Sequence, residues 1–207
     1  MNVEIEIKKT YGEDAEIDGI LNPELYANSK IRIMWMLREP WFKGAWKLIQ
    51  NEGVYSRIGA SPTLQPMAYV TYSILNGYPN WSEMSYLRDK PEMAEVLRAI
   101  AYVNVKKCVG GTASDLGDIY SHFKMGEHIL RFQVKQFKPD VVIGCNPFMH
   151  DVFTWDSSRS TPKNYSNLSY VSDAGQPLLI QSLHPSQRAT NRADYIDPII
   201  RLIEAEL

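Results

Sequence analysis

The chain has 207 residues, of which 44% are hydrophobic and 22% charged. That length suits one well-buried core rather than two, and the composition argues against a disordered chain. A net charge of −2 argues against a dedicated nucleic-acid coat, which would be strongly basic, but leaves room for a local basic patch.

No apolar run reaches the roughly 18 residues needed to span a bilayer, so no membrane partner is expected. Met1 to Thr10 alternates charged and aliphatic residues and lacks the apolar stretch of a signal peptide. The two cysteines, Cys108 and Cys145, are too few for a disulfide framework or a four-thiolate metal site. These features suggest a reduced, cytoplasmic protein with one domain over residues 1–207.

In chain order, the segment before residue 30 fits a helix or an extended arm equally well. Ile31–Leu37 (IRIMWML) is the first apolar run with strand character. Ser61-Pro62 is a helix start and Gly77 a plausible stop. Ile100–Val105 (IAYVNV) is the second strand. Asp115 to Phe137 places Ile119, Phe123, Ile129, Phe132, Val134 and Phe137 at mostly helical spacing, and Lys138-Pro139 ends that helix. Val141–Cys145 (VVIGC) is the third strand, with Asn146-Pro147 as a helix start behind it. The Ser-, Asn- and Asp-rich stretch Ser157–Gly175 suggests a surface excursion with a small hairpin through Ser172-Asp173-Ala174-Gly175. Leu178–Leu183 (LLIQSL) is the fourth strand. Ala193 to Leu207 closes the chain as an amphipathic helix in which Pro198 is a kink or an interruption. Strands alternating with helices predict a three-layer α/β/α sandwich around a short, mainly parallel four-stranded central sheet.

Ligands of open parallel sheets bind beyond the carboxyl ends of the strands. Behind the four runs come Arg38-Glu39-Pro40-Trp41-Phe42, Asn104-Val105-Lys106-Lys107, Asn146-Pro147-Phe148 and His184-Pro185-Ser186-Gln187-Arg188. A carboxylate, an amide and an imidazole are thus expected on one rim. Alone, each has an ordinary structural explanation: a loop carboxylate, an amide serving a backbone group, a turn or helix cap. Order and strand-end placement together are what single them out. Lys106, Lys107, Arg188 and Arg192 would share that rim as a phosphate-binding face, or else form a solvated mixed-charge surface. His122, His128 and His150 show no metal spacing. Gly110-Gly111-Thr112 fits a turn rather than a phosphate loop.

The four segments IRIMWMLREPW, AYVNVKKC, KPDVVIGCNPF and LLIQSLHPSQR resemble the uracil-DNA glycosylase superfamily. That family carries a Gly-x-x-Pro motif after its first strand and an Asn ending its second. Its third strand opens with Lys-Pro and ends in Gly, and His-Pro-Ser follows its last. AYVNVKKC is similar to the corresponding segment of the thermostable iron–sulfur branch. The resemblance spans residues 31 to 188 and implies that Glu39 positions the attacking water. It further implies that Asn104 reads the base edge and that His184 stabilises negative charge on the departing base. An aromatic residue should stack on the flipped base: Tyr55 fits best, with Trp41 or Phe42 as rivals beside Pro40. Lys106, Ser186, Arg188 and Arg192 would contact DNA or order the loops. No cofactor or metal is implied, DNA of one or two strands is the implied partner, and a monomer is favoured.

The implied chemistry is coherent. A base must leave the stack before its glycosidic bond is accessible. An Asn amide offers one donor and one acceptor to the base edge. A neutral imidazole N–H can stabilise a developing oxyanion, and a carboxylate can favour the sugar cation and orient water. The departures are concrete. Leu37-Arg38-Glu39-Pro40 lacks the family's Gly, Glu is one methylene longer than the usual Asp, and two cysteines cannot hold a four-cysteine cluster. The loop Gln187–Arg192 has no Leu-like wedge. A non-catalytic nucleobase or nucleic-acid binder, and a hydrolase of free nucleosides, therefore stand beside the glycosylase as alternatives.

Overall fold

The computed structural model describes residues 2–41, 43–44, 58–111, 114–146 and 148–207. Among them the strands are β1 (Gly19–Ile20), β2 (Ile33–Leu37), β3 (Ala101–Asn104), β4 (Val141–Gly144), β5 (Lys163–Tyr165), β6 (Leu168–Val171) and β7 (Leu178–Gln181). The helices are α1 (Val3–Tyr11), α2 (Pro23–Ala27), α3 (Leu64–Leu75), α4 (Leu116–Phe137), α5 (Met149–Phe153) and α6 (Arg192–Glu206). Short 3-10 segments cover Trp81–Glu83 and Pro91–Ala99.

The strands form one mixed sheet in the order β1-β3-β2-β4-β7-β6-β5. Its centre, β3-β2-β4-β7, is parallel throughout and is made of the four apolar runs. The expected four-stranded sheet is therefore too small. Antiparallel β1 extends one edge, and antiparallel β6 and β5 extend the other. These additions lack the signature of a buried strand. β1 is two residues long, and all three residues of β5 are exposed. The connection from β6 into β7 runs through Ser172–Gly175, where a hairpin was expected.

The centre of the sheet is buried on both faces, which explains why its strands are apolar except where β3 and β7 end in Asn104 and Gln181. Ile33, Trp35 and Leu37 of β2 point into a core shared with α3 and α6. Met34 and Met36 point the other way, into a core with α4 and α5. Successive strand residues face opposite sides, so one five-residue strand anchors two cores.

Helix ends follow their caps. Asn2, Asn22, Asp115 and Asn191 each accept a backbone N–H of the first turn. α4 matches its expected span closely, and α3 starts two residues beyond Pro62. Pro198 lies inside α6 without interrupting it. The carbonyl it leaves without a helical donor is that of Asp194, an exposed residue that water can serve. The segment before residue 30 holds both α1 and extended chain. No helix of the described residues is long and apolar enough to cross a membrane.

Candidate functional site

Because β3, β2, β4 and β7 are parallel and adjacent, their carboxyl ends lie along one edge. The β2–β3 ladder continues past both strands. Val105 N–H donates to the Leu37 carbonyl and Lys106 N–H to that of Arg38, both at 2.9 Å. The Gly110 N–H then donates to the Pro40 carbonyl, again at 2.9 Å. This zipper lays Arg38–Trp41 alongside residues 105–110 and brings Glu39 against Lys106.

Glu39 is an ordered, half-buried carboxylate. Its Oε2 sits 3.2 Å from Lys106 Nζ, and the side chains are 8% and 13% exposed. Lys106 also holds Asp118 Oδ2 at 2.6 Å. The Glu39 carboxyl fills the space in front of Gly110, where a Cβ would lie 2.0 Å from the carboxyl carbon. A side chain at that position would have to push the carboxyl aside. Lys106, expected at DNA phosphate, is thus engaged by two carboxylates. Lys107 is fully buried, its Nζ 2.7 Å from Asp18 Oδ1 and 3.1 Å from Gln133 Oε1. It is absent from the rim surface where it was expected. Burial pulls its pKa below the ordinary lysine value, with Asp18 opposing.

Asn104 closes β3 and is fully buried. Its backbone N–H donates to Asp18 Oδ2 at 2.6 Å, so the same network that buries Lys107 fixes this residue. The side chain is different: neither Oδ1 nor Nδ2 has a hydrogen-bond partner among the described residues. The Tyr102 phenol feels the amide weakly without reaching hydrogen-bond geometry. Buried polar groups are matched in the great majority of cases, and each unmatched one costs about 1–3 kcal/mol.

His184 follows β7. Its Nδ1 accepts the Ser186 backbone N–H at 3.3 Å and lies 2.7 Å from Ser186 Oγ. An Nδ1 that accepts from an amide is unprotonated, which puts the ring proton on Nε2. Burial, reinforced by the Arg38 guanidinium, lowers the His184 pKa from 6.5 to about 4. The ring is therefore a neutral N–H donor at physiological pH. Ser186, expected near DNA, is occupied in orienting this ring. Arg38 donates from Nε to the Cys145 carbonyl at 3.4 Å and has no carboxylate partner among the described residues.

The remaining expected residues are scattered. Pro40 is buried beside Glu39, while Trp41 is 74% exposed and turned outward. Arg188 is exposed, and Arg192 opens α6, half-buried. Tyr55 and Phe42 lie outside the described residues. Gln187 braces its own loop: its Oε1 accepts the Ala189 and Thr190 N–H groups at 2.6 and 2.9 Å. Both thiols are pushed up by burial. Among the described residues no group of three or more His, Cys, Asp or Glu side chains could hold a metal ion.

Sequence reasoning passed over Asp18 and Gln133, and placed Arg38 and Asn146 behind their strands without giving either a functional role. Gln133 carried a usable signal, because a polar side chain on the inward stripe of an amphipathic helix demands a buried partner. Asp18 carried none. A cavity of about 750 Å3 opens at the opposite, amino ends of the strands, lined by Arg32, Asp140, Pro177, Trp155 and Lys135 among others. None of the rim residues lines it. Its cations are largely satisfied, as Arg32 pairs with Asp140, Arg131 with Glu127 and Arg159 with Asp173. Unspent buried amides are a stronger sign of a ligand than volume alone, and they lie on the rim. No protein-family model and no curated protein matches the chain.

Proposed function

We propose that this chain is a DNA glycosylase that removes uracil or a related deaminated base, hydrolysing the N-glycosidic bond with water. The carrying observation is Asn104, whose buried amide keeps both its donor and its acceptor unspent among the described residues at a strand carboxyl end. An imide edge offers the matching pair, a carbonyl oxygen beside an N–H. The resemblance in the four strand-end segments supports the same assignment.

In this reading the target base leaves the nucleic-acid stack and docks against Asn104. The bond from the sugar anomeric carbon to the base nitrogen breaks, and its electron pair stays with the base. His184 Nε2–H, neutral at working pH, donates to the base oxygen on which that charge gathers. Water adds to the anomeric carbon from the side of Glu39. Lys106 holds one oxygen of that carboxylate, leaving Oε1 to receive a water hydrogen. Arg38, without a carboxylate partner among the described residues, adds favourable field for the departing anion.

A second reading has one observation in its favour. Lys106 and Lys107 are spent on carboxylates, which thins the phosphate-binding face and suits a hydrolase of free nucleosides. Incubating the protein with uracil-containing oligonucleotides and, separately, with free deoxyuridine distinguishes them. Alkali-labile sites in the oligonucleotide alone support the glycosylase. Release from the nucleoside with little salt dependence supports the second reading, and release from neither contradicts both.

A further inference from the structure

Buried polar atoms without partners are not spread evenly over the described residues. Four of the seven lie at or just past the carboxyl ends of the parallel strands: both amide atoms of Asn104, Nδ2 of Asn146 and Oε1 of Gln181. Asn146 stands two residues beyond β4 and is 2% exposed. Its Oδ1 accepts the Phe148 backbone N–H at 3.2 Å. That bond also fixes the amide's orientation, since the flipped amide would set a donor against a donor. The unspent end of Asn146 is therefore an N–H2 group and not a carbonyl.

The position adjoins the rest of the rim. Cys145 N–H donates to the Met36 carbonyl, Arg38 Nε to the Cys145 carbonyl, and Ser182 N–H to the Gly144 carbonyl. The chain around Asn146 thus runs between Arg38, just past β2, and the Ser182–His184 segment behind β7. Gln181 is paired in register with Gly144 and alternates with Ile180, so it faces the α4–α5 side. Asn104 alternates with Val103 and faces the α3–α6 side.

We propose that Asn146 is a second ligand-reading amide, whose fixed N–H2 donor recognises an acceptor atom of the bound base and biases the site toward carbonyl-bearing bases. This rests on the glycosylase reading of the same rim. The strand ends then present donors from Asn104 Nδ2, Asn146 Nδ2 and His184 Nε2, plus the Arg38 guanidinium, against acceptors at Asn104 Oδ1 and, on the α4–α5 side, Gln181 Oε1, with the Glu39 carboxylate serving the water. That balance complements a deaminated base, in which a carbonyl replaces the exocyclic amino group. It opposes cytosine or adenine, whose amino donors would meet donors.

Asn146→Asp tests it, because it keeps an acceptor for Phe148 N–H and replaces the unspent donor with an acceptor. Binding of free uracil and cytosine is measured by calorimetry for the unmutated protein, Asn146→Asp and Asn104→Leu, with melting curves for each. The expected result is uracil binding that weakens about tenfold in Asn146→Asp, one hydrogen bond's worth, while the preference over cytosine narrows. Uracil binding lost in Asn104→Leu but unchanged in Asn146→Asp would overturn the role of Asn146 and leave the glycosylase reading standing. No uracil binding by the folded, unmutated protein would overturn both. Should Asn146→Asp melt early, Asn146→Leu takes its place, and an unchanged uracil-to-cytosine ratio there overturns the proposal equally.

Discussion

At the scale of single residues, the rim pairs an unspent buried amide with side chains that are held by their neighbours. Asn104 is fully buried, and its side chain makes no hydrogen bond among the described residues. Replacing an unmatched buried amide by an apolar side chain of similar shape is neutral or stabilising. Asn104→Leu is therefore expected to melt no lower than the unmutated protein, higher by about 1–2 kcal/mol of stability if anything, while losing base release. A marked fall in melting temperature would mean that the amide serves the fold. His184 makes the complementary case. Its pKa lies near 4 instead of 6.5 because the ring is buried beside Arg38. A depressed folded-state value means the unfolded chain takes up the proton first. The stability tied to the neutral ring is thus complete above about pH 6.5 and is lost as pH falls toward 4. Following the ring carbons by NMR should give a midpoint near 4, and a midpoint near 6.5 would remove the neutral-donor argument. Lys106→Met, which frees the Glu39 carboxylate, should lower turnover by one to two orders of magnitude, with Lys106→Arg partly restoring it. Equal activity in all three proteins would show that Glu39 needs no anchoring.

At the scale of elements, the four central strands and the long helices were legible because their patterns are dense. Runs such as Ile31–Leu37 have no polar face, which only a strand covered on both sides requires. Asp115 and the inward stripe of α4 announced that helix, from cap to Phe137. What the pattern did not carry was the edge of the sheet. β1 and β5 owe their pairing to the neighbours they dock on, so nothing local marks them. The same holds for the site. Glu39, Asn104 and His184 could be placed on one rim from strand order alone. The partners that hold them come from distant segments: Asp18 lies 86 residues from Asn104, and Gly110 packs on Glu39 only because the β2–β3 ladder runs on. Tertiary pairing of this kind leaves no trace in local periodicity. Two substitutions test these supports. Gly110→Ala puts a Cβ into the Glu39 carboxyl, so activity should fall more than stability; the reverse ranking would make Gly110 merely a fold residue. Asp18→Asn leaves Lys107 buried without its counter-charge and should cost about 3–5 kcal/mol in denaturant unfolding. A loss below about 1 kcal/mol would mean that the pair is not closed in solution.

At the scale of the whole molecule, a net charge of −2 must be reconciled with the proposed DNA partner. With Lys106 and Lys107 engaged, the rim cations without carboxylate partners among the described residues are Arg38, Arg188 and Arg192. Three phosphate contacts on a single strand give a slope of about −2 in the logarithm of affinity against that of salt. A slope near zero in a salt titration of oligonucleotide binding would favour the free-nucleoside reading. The most direct measurement is base release from single-stranded and duplex uracil oligonucleotides by the unmutated protein, Asn104→Leu and His184→Ala, each verified as folded. Alkali-labile sites from the unmutated protein and a loss of at least about a hundredfold in both variants are the predicted result. Folded protein that releases no uracil from either substrate, or variants that release it undiminished, would contradict the assignment of this rim as a glycosylase site.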